Sequence, residues 1–419
     1  MTSERLVAGL DIGTGTTTAL IGEVVGDLPR HPVVRVLGLG QARTTGLRRG
    51  VVADIEETAR AVVKAMSDAE RMAGAKVADV YVGISGEHVR TMTSKGIVAV
   101  SGSEITRADV DRVNAVARAQ VIPPDRELLH AIPQEYSVDK AQGVRDPIGM
   151  VGTRLETEVY MVTVGSAPAV NLRKAVERAG YGVRELVLGP LASALSVLTE
   201  DEKELGVAIV DMGAGTTDVA VFHEGKIRHV GTLGFGGHNV TSDIVHGLGV
   251  TQADAERLKE RSGVAYEPMV TPGESLPLPG TPSQGERQVP RELLAHIIHQ
   301  RLDEILTLTQ QEIDRGGFGG RLGGGLVLTG GTALMPGVCE LATEVFGAGV
   351  RIGVPRDRLS GLADAVESPR FATVVGLTQY AAARLAIGSA SPNGKRFNRP
   401  TPGVDKIVAR VKTWLQDFF

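Results

Sequence analysis

The sequence predicts an α/β protein of two similar lobes that face one another. A module is inserted into the first lobe, and an amphipathic helix closes the chain. Three observations predict this. The stretch Asp11-Ile12-Gly13-Thr14-Gly15-Thr16-Thr17 returns two hundred positions later as Asp211-Met212-Gly213-Ala214-Gly215-Thr216-Thr217. Alternating strand and helix patterns surround each copy, but residues 87–156 have a different texture. Residues 404–419 set Val404, Ile407, Val408, Val411, Trp414, Leu415 and Phe418 on one apolar stripe, with Phe419 at its edge.

The elements follow in chain order. A strand over Leu6–Leu10 turns through the Gly/Thr loop into a second strand, and 53–74 carries helical spacing with a stop at Gly74. Residues 77–86 read as a strand. The insertion reads as a strand and then a helix with Thr106 as N-cap. Pro123, Pro124 and Pro133 argue for edge strands and loops beyond it. From 157 the alternation is expected to resume with a strand, a helix from Ala167, and one helix from Pro190 to Leu205. The second copy opens at Gly206 as strand, turn, strand, followed by helical patterns over 239–249 and 251–263. Six prolines (Pro268, Pro272, Pro277, Pro279, Pro282, Pro290) mark 266–290 as a loop excursion. A long helix is expected over 290–315, a flexible glycine-rich joint over 316–325, then strand, Gly turn and helix to Phe346, and a last helix over 372–386. Residues 389–403 read as a Pro/Gly/Ser linker.

At 419 residues the chain is long enough for about three domains and a sizeable core. It is 42% hydrophobic and 22% charged with mean hydropathy +0.03, as in ordinary soluble proteins. A net charge of −4 and the lack of a basic stretch interleaved with aromatics argue against a nucleic-acid partner. One cysteine, Cys339, excludes a disulfide framework and suits a reducing compartment; its apolar helical surroundings mark it as inert core. No signal-peptide pattern and no run of 18 apolar residues is found, so the expected compartment is cytoplasmic.

The repeated turn has a chemical purpose. Glycine lets backbone N–H groups approach a ligand closely, successive N–H groups form an anion nest, and threonine hydroxyls add donors. Aspartates beside a phosphate imply a cation, so Asp11 and Asp211 are expected to hold Mg2+ through water. The GxxxxGK[ST] loop is absent, and both turns lead into strands rather than helices, so each is a hairpin clamp. A third turn, Leu328-Thr329-Gly330-Gly331-Thr332-Ala333-Leu334, adds to the pair.

These motifs resemble the phosphate-1, phosphate-2 and adenosine motifs of the actin/Hsp70/sugar-kinase ATPases. Within that group the chain resembles the FtsA family of bacterial cell-division proteins over nearly its whole length. The stretches HAIPQEYSVD (130–139), KAVERAG (174–180), GPLASALSVLTEDEKELGVAIVDMGAGTTDVAV (189–221), GGHNVTSDI (236–244), VLTGGTALMPG (327–337) and the end KTWLQDFF carry it. The resemblance implies an actin-like ATPase fold divided as 1–86, 157–205 and 369–388 (subdomain 1A), 87–156 (inserted subdomain 1C), 206–237 and 316–368 (2A) and 238–315 (2B). It implies that Gly13, Thr14, Gly15, Thr16 and Thr17, with Gly213, Gly215, Thr216 and Thr217, hold the phosphates of ATP. Gly236, Gly237, Glu256, Lys259, Gly330, Gly331 and Thr332 would complete the nucleotide site. Where Hsp70-like chains carry Glu-Pro-x-Ala-Ala, this one reads Gly189-Pro190-Leu191-Ala192-Ser193, so the carboxylate that would place an attacking water is missing and slow hydrolysis is expected.

The tail has a charge pattern of its own. Residues 395–419 carry six basic and two acidic side chains, +4, which leaves −8 for the rest of the chain. The reading is a helix lying in a lipid headgroup layer, with docking on the protein's own body as the alternative. Arg301 matches the position that the family implicates in holding the C-terminal peptide of FtsZ. His296 and His299, one turn apart, lack a third metal ligand. The expected function is that of an ATP-binding tether bringing FtsZ filaments to the inner face of the cytoplasmic membrane. Other division proteins would dock on the insertion, and head-to-tail self-assembly would give filaments. A small-molecule kinase or an actin-like scaffold of a pilus-type machine would share the scaffold.

Overall fold

A computed structural model of the chain describes residues 5–26, 32–278, 285 and 287–389. Two sheets repeat one topology. In the first, Val33–Arg43, Thr16–Val25 and Leu6–Ile12 form an antiparallel meander, and Asp79–Ile84 and Gly182–Leu188 continue in parallel. In the second, the meander is Lys226–Leu233, Thr217–His223 and Val207–Met212, and the parallel strands are Leu326–Thr329 and Val350–Ile352. Leu359–Gly361 adds an edge strand beside Val33–Arg43 in the first sheet. The repetition extends to register: Asp11 pairs with Thr18 and Ile12 with Thr17, as Asp211 pairs with Asp218 and Met212 with Thr217. Both turns close on the same bond, Gly13 N–H to Thr16 C=O at 3.1 Å and Gly213 N–H to Thr216 C=O at 2.9 Å.

Local sequence signals account for the helices. Ile55–Ala73 starts where the Asp54 side chain accepts from the Glu57 N–H, and it ends at Gly74 in the left-handed conformation (φ 63°). The long helix over the second sheet runs Arg291–Arg315 and buries Leu294, Ile298, Leu302, Ile305 and Leu306. The span from Pro190 to Leu205 is not one helix. It breaks after Val197, because Thr199 caps a new start reciprocally with Glu202.

The insertion forms its own sheet, in the order Val89–Ala99, Arg154–Gly165, Arg126–Val138, Ala141–Val144. Helix Arg107–Arg118 packs on it behind a Thr106–Asp109 capping box. The strand expected to resume the first lobe at 157 begins at Arg154 and pairs entirely within this sheet. The segment with Pro133 is a long strand. Proline fits there because a bulge follows at Glu158/Val159 and the neighbour Ala141–Val144 pairs only near Tyr136 and Val138. The insertion also touches the second lobe. Val89, Ile132, Tyr160 and Val162 share an apolar cluster with Ile209, Ala220 and Phe222, and Lys226 Nζ donates to Gln134 O.

Two further expectations change. Residues 316–325 form a run of hydrogen-bonded turns, with Gly324 N–H donating to Gly206 O at 2.7 Å, rather than a loose joint. The proline-rich excursion contains a short hairpin, Ser275–Leu278 with Arg287–Pro290. Helix Gly189–Val197 leaves the first sheet and crosses the last helix, Ala372–Ser389, so closely that a β-carbon on Gly376 would lie 1.7 Å from Ala192 O. The stripe at 404–419 and linker residues 390–403 lie outside the described residues. No helix among the described residues is long and apolar enough to cross a membrane.

Candidate functional site

The two repeated turns meet tip to tip at one cleft of about 1080 Å3. A β-carbon on Gly15 would lie 2.8 Å from Ala214 Cβ, and one on Gly215 would lie 2.7 Å from Thr14 Oγ1. Glycine is therefore required at both tips, for close approach. The turn carbonyls are occupied by the walls: Gly15 O by Thr44 N–H, Gly213 O by Gly237 N–H and the Thr332 hydroxyl, Ala214 O by His238 N–H. Among the described residues no acceptor takes the N–H groups of Gly15, Ala214 or Gly215, three residues that line the cleft, so these groups remain available as donors to an anion.

Most residues read from the sequence line this cleft: Asp11, Gly13, Thr14, Gly15, Thr16, Asp211, Gly213, Gly215, Thr216, Gly237, Glu256, Lys259, Gly330, Gly331 and Thr332. Three expected members do not. Thr17 and Thr217 are fully buried behind the turns, where Thr17 Oγ1 lies 2.8 Å from Thr44 Oγ1 and Thr217 Oγ1 donates to Phe235 O at 2.9 Å. Gly236 backs onto the second turn, so a β-carbon there would lie 2.6 Å from Gly213 O. These three shape the wall instead of contacting the cavity. On the facing helix, Lys259 Nζ is held by Glu256 Oε1 at 2.8 Å, Thr241 Oγ1 at 2.9 Å and Gly237 O at 3.2 Å.

Sequence reasoning missed Asp218, Ser193 and Thr373. Asp218 lies across the second hairpin from Asp211, and period-two alternation from Thr216 was the available signal. Burial pushes the Asp11 carboxyl up to about 7, reinforced by the charges of Asp211 and Asp218. Burial likewise raises Asp218 to about 6, with the Asp211 charge adding to it. Burial raises Asp211 too, opposed by hydrogen bonds from Ser193 and Thr373. Three carboxylates lining one cleft, with oxygen donors alone, suit a hard divalent cation such as Mg2+. Among the described residues no three acidic, histidine or cysteine side chains are arranged to grip an ion directly.

The remaining candidates fall elsewhere. Arg301 is paired with Asp243 and Glu304, with 24% of its side chain exposed. His296 Nδ1 lies 3.2 Å from Glu267, and His299 Nδ1 lies 3.0 Å from Ala265 O, so each ring has its own neighbour. Cys339 is half-buried rather than core, and burial raises its thiol pKa.

Comparison with known proteins gives consistent matches. Residues 208–376 match the family model described as Cell division protein FtsA, and residues 86–163 match the SHS2 domain inserted in FTSA. That second match takes in most of the strand Arg154–Gly165. The chain is 41% identical over 418 residues to the cell division protein FtsA of Pseudomonas aeruginosa, covering 100% of this chain and 99% of that one. Among solved structures it superposes on a PilM-PilN type IV pilus biogenesis complex (TM-score 0.63, 17% identity, 90% of this chain and 98% of that one). It also superposes on MreB 5 of Spiroplasma citri bound to AMPPNP (0.52, 15%, 92% and 99%) and on a MamK double helical filament (0.51, 13%, 90% and 98%). At such identities these structures show the shared actin-like fold.

Proposed function

The chain belongs to the FtsA family, the actin-like proteins of bacterial cell division, and from that premise we propose that it clamps Mg-ATP between its lobes and tethers FtsZ filaments to the cytoplasmic face of the inner membrane. The observation that carries the nucleotide reading is the pair of tip-to-tip turns, whose N–H groups, unpaired among the described residues, belong to residues that line one cleft with Asp11, Asp211 and Asp218. A cleft of about 1080 Å3 lies just above the ~300–1,000 Å3 usual for small-molecule and cofactor sites. The expected site residues that line it hold the phosphates and adenosine, and Thr17, Thr217 and Gly236 support the turns. Asp11, Asp211 and Asp218 would hold Mg2+, which would supply neutralisation of the phosphate charge.

Hydrolysis is slow in this reading. Gly189 and Pro190 face the cleft at the segment where Hsp70-like chains carry a carboxylate, so no side chain there activates water. ATP then serves as a ligand that sets lobe closure, with turnover below about 1 s⁻¹, the low end for enzymes. Filament formation by head-to-tail contact is supported by the likeness to MamK, whose structure is a double helical filament. Arg301, on the outer helix of the second lobe, is the proposed contact for the FtsZ peptide, and other division proteins dock on the insertion. A pilus-type role has less support: the pilus protein is 17% identical, the cell-division protein 41% over its full length.

The stripe Val404, Ile407, Val408, Val411, Trp414, Leu415, Phe418 and Phe419 supplies the lipid contact, sinking ~5–10 Å into the headgroup layer. Co-sedimentation of the full chain with phosphatidylglycerol-containing vesicles and FtsZ, with and without Mg-ATP, tests the tether. The native chain is expected to carry FtsZ to the vesicle pellet, and Trp414→Glu to leave both in solution. Unchanged vesicle binding by Trp414→Glu refutes the membrane reading.

A further inference from the structure

The repeat makes Asp11 and Asp211 equivalent in sequence, yet their surroundings differ. Asp211 Oδ2 lies 2.7 Å from the Ser193 hydroxyl and 3.0 Å from the Thr373 hydroxyl, and the two hydroxyls lie 2.9 Å apart. Asp218 is braced as well, by Thr232 at 2.6 Å and Thr216 at 3.1 Å. Among the described residues no hydrogen-bond donor reaches the carboxylate of Asp11. Its partner across the hairpin is Thr18, where Asp211 has Asp218. One carboxylate is therefore left open to the cleft, and the other is clamped.

The clamp comes from both connections between the lobes. Ser193 belongs to helix Gly189–Val197 and is fully buried; Thr373 opens helix Ala372–Ser389. These helices cross at Ala192 and Gly376, directly beside the two hydroxyls. The remaining oxygen, Oδ1, is confined by Gly330, where a β-carbon would lie 2.5 Å away. Resting on the Mg-ATP reading above, we propose that Ser193 and Thr373 are positioning residues for the nucleotide-bound cation. They hold Asp211 in a fixed rotamer by tying Oδ2 to the crossing where the lobes are joined, which leaves Oδ1 as the one oxygen presented. Ser193 lies in the same segment that lacks the water-placing carboxylate, so this stretch orients the cation where its Hsp70-like counterpart orients the nucleophile.

The test measures binding, not turnover. ATP binding to the full chain is titrated over a series of Mg2+ concentrations and again in excess EDTA, for native protein, Thr373→Val, Thr373→Ser and Ser193→Ala. Loss of a hydrogen bond to a charged group predicts that Thr373→Val and Ser193→Ala raise the Mg2+ needed for half-maximal binding by about tenfold. Affinity in EDTA is expected to stay within about twofold, the margin for an untouched nucleotide surface, and Thr373→Ser to restore the native curve. Equal weakening with and without Mg2+, or no change in either variant, overturns the positioning role. A native chain whose ATP binding ignores Mg2+ overturns it too. A native chain that binds no ATP removes the nucleotide reading itself, and the proposal with it.

Discussion

Gly376→Ala probes the crossing on which the site is built. The added β-carbon would lie 1.7 Å from Ala192 O, 2.4 Å from Ala192 C and 3.1 Å from Ala192 Cα. All three are atoms of a buried helix, so the obstruction cannot rotate away and the helices must separate. Overpacking into rigid surroundings costs about 3 kcal/mol at the upper end of its range. Replacing glycine by alanine within a helix returns about 1 kcal/mol. The net expectation is roughly 2 kcal/mol of lost stability, read as a lower urea midpoint in equilibrium unfolding. ATP affinity should fall in parallel, because Ser193 adjoins Ala192 and Thr373 lies one turn before Gly376. Since a backbone oxygen is the obstacle, adding Ala192→Gly should not rescue the variant. A Gly376→Ala protein as stable as the native chain, or a rescue by Ala192→Gly, would refute the reasoning.

Other outcomes follow from single contacts. Gly215→Ala drives a β-carbon to 2.7 Å from Thr14 Oγ1, so ATP affinity is expected to drop about tenfold in an equilibrium titration, and undiminished affinity would contradict the tip-to-tip packing. His130 is held neutral, accepting from Leu188 N–H at 3.0 Å, with burial lowering its pKa from 6.5 to about 3. The unfolded chain binds that proton first, so stability falls as pH drops from 6.5 toward 3. Between pH 6.5 and pH 5 the native protein should lose about 2 kcal/mol more than His130→Gln, and equal pH slopes in urea unfolding would contradict this. Arg301→Glu should weaken capture of the FtsZ C-terminal peptide in a pull-down while leaving ATP affinity unchanged; undiminished capture removes Arg301 from that contact.

Local signals were readable in proportion to how locally they act. Helix Ile55–Ala73 was legible because Asp54 and Gly74 satisfy its end groups within the segment itself. Both clamps were legible because a Gly/Thr hairpin is specified by its own residues. The strand Arg154–Gly165 was misplaced because nothing within a strand names its sheet; its partners at 89–99 and 126–138 are brought to it by folding. The break at Leu198–Thr199 is written in Thr199 and Glu202, but the flanking stretches both favour helix, so they read as one.

The amino-acid sequence by itself determined the duplicated turn, the aspartate at each copy, the glycine at each tip and the family. Those properties lie in short contiguous stretches, and backbone conformation follows from them directly. Tertiary structure alone decided which aspartate is clamped and which is open. Ser193 and Thr373 stand 180 positions apart and reach Asp211 only where two helices cross. Burial, which raises the carboxyl pKa values, exists only once both lobes have closed around them.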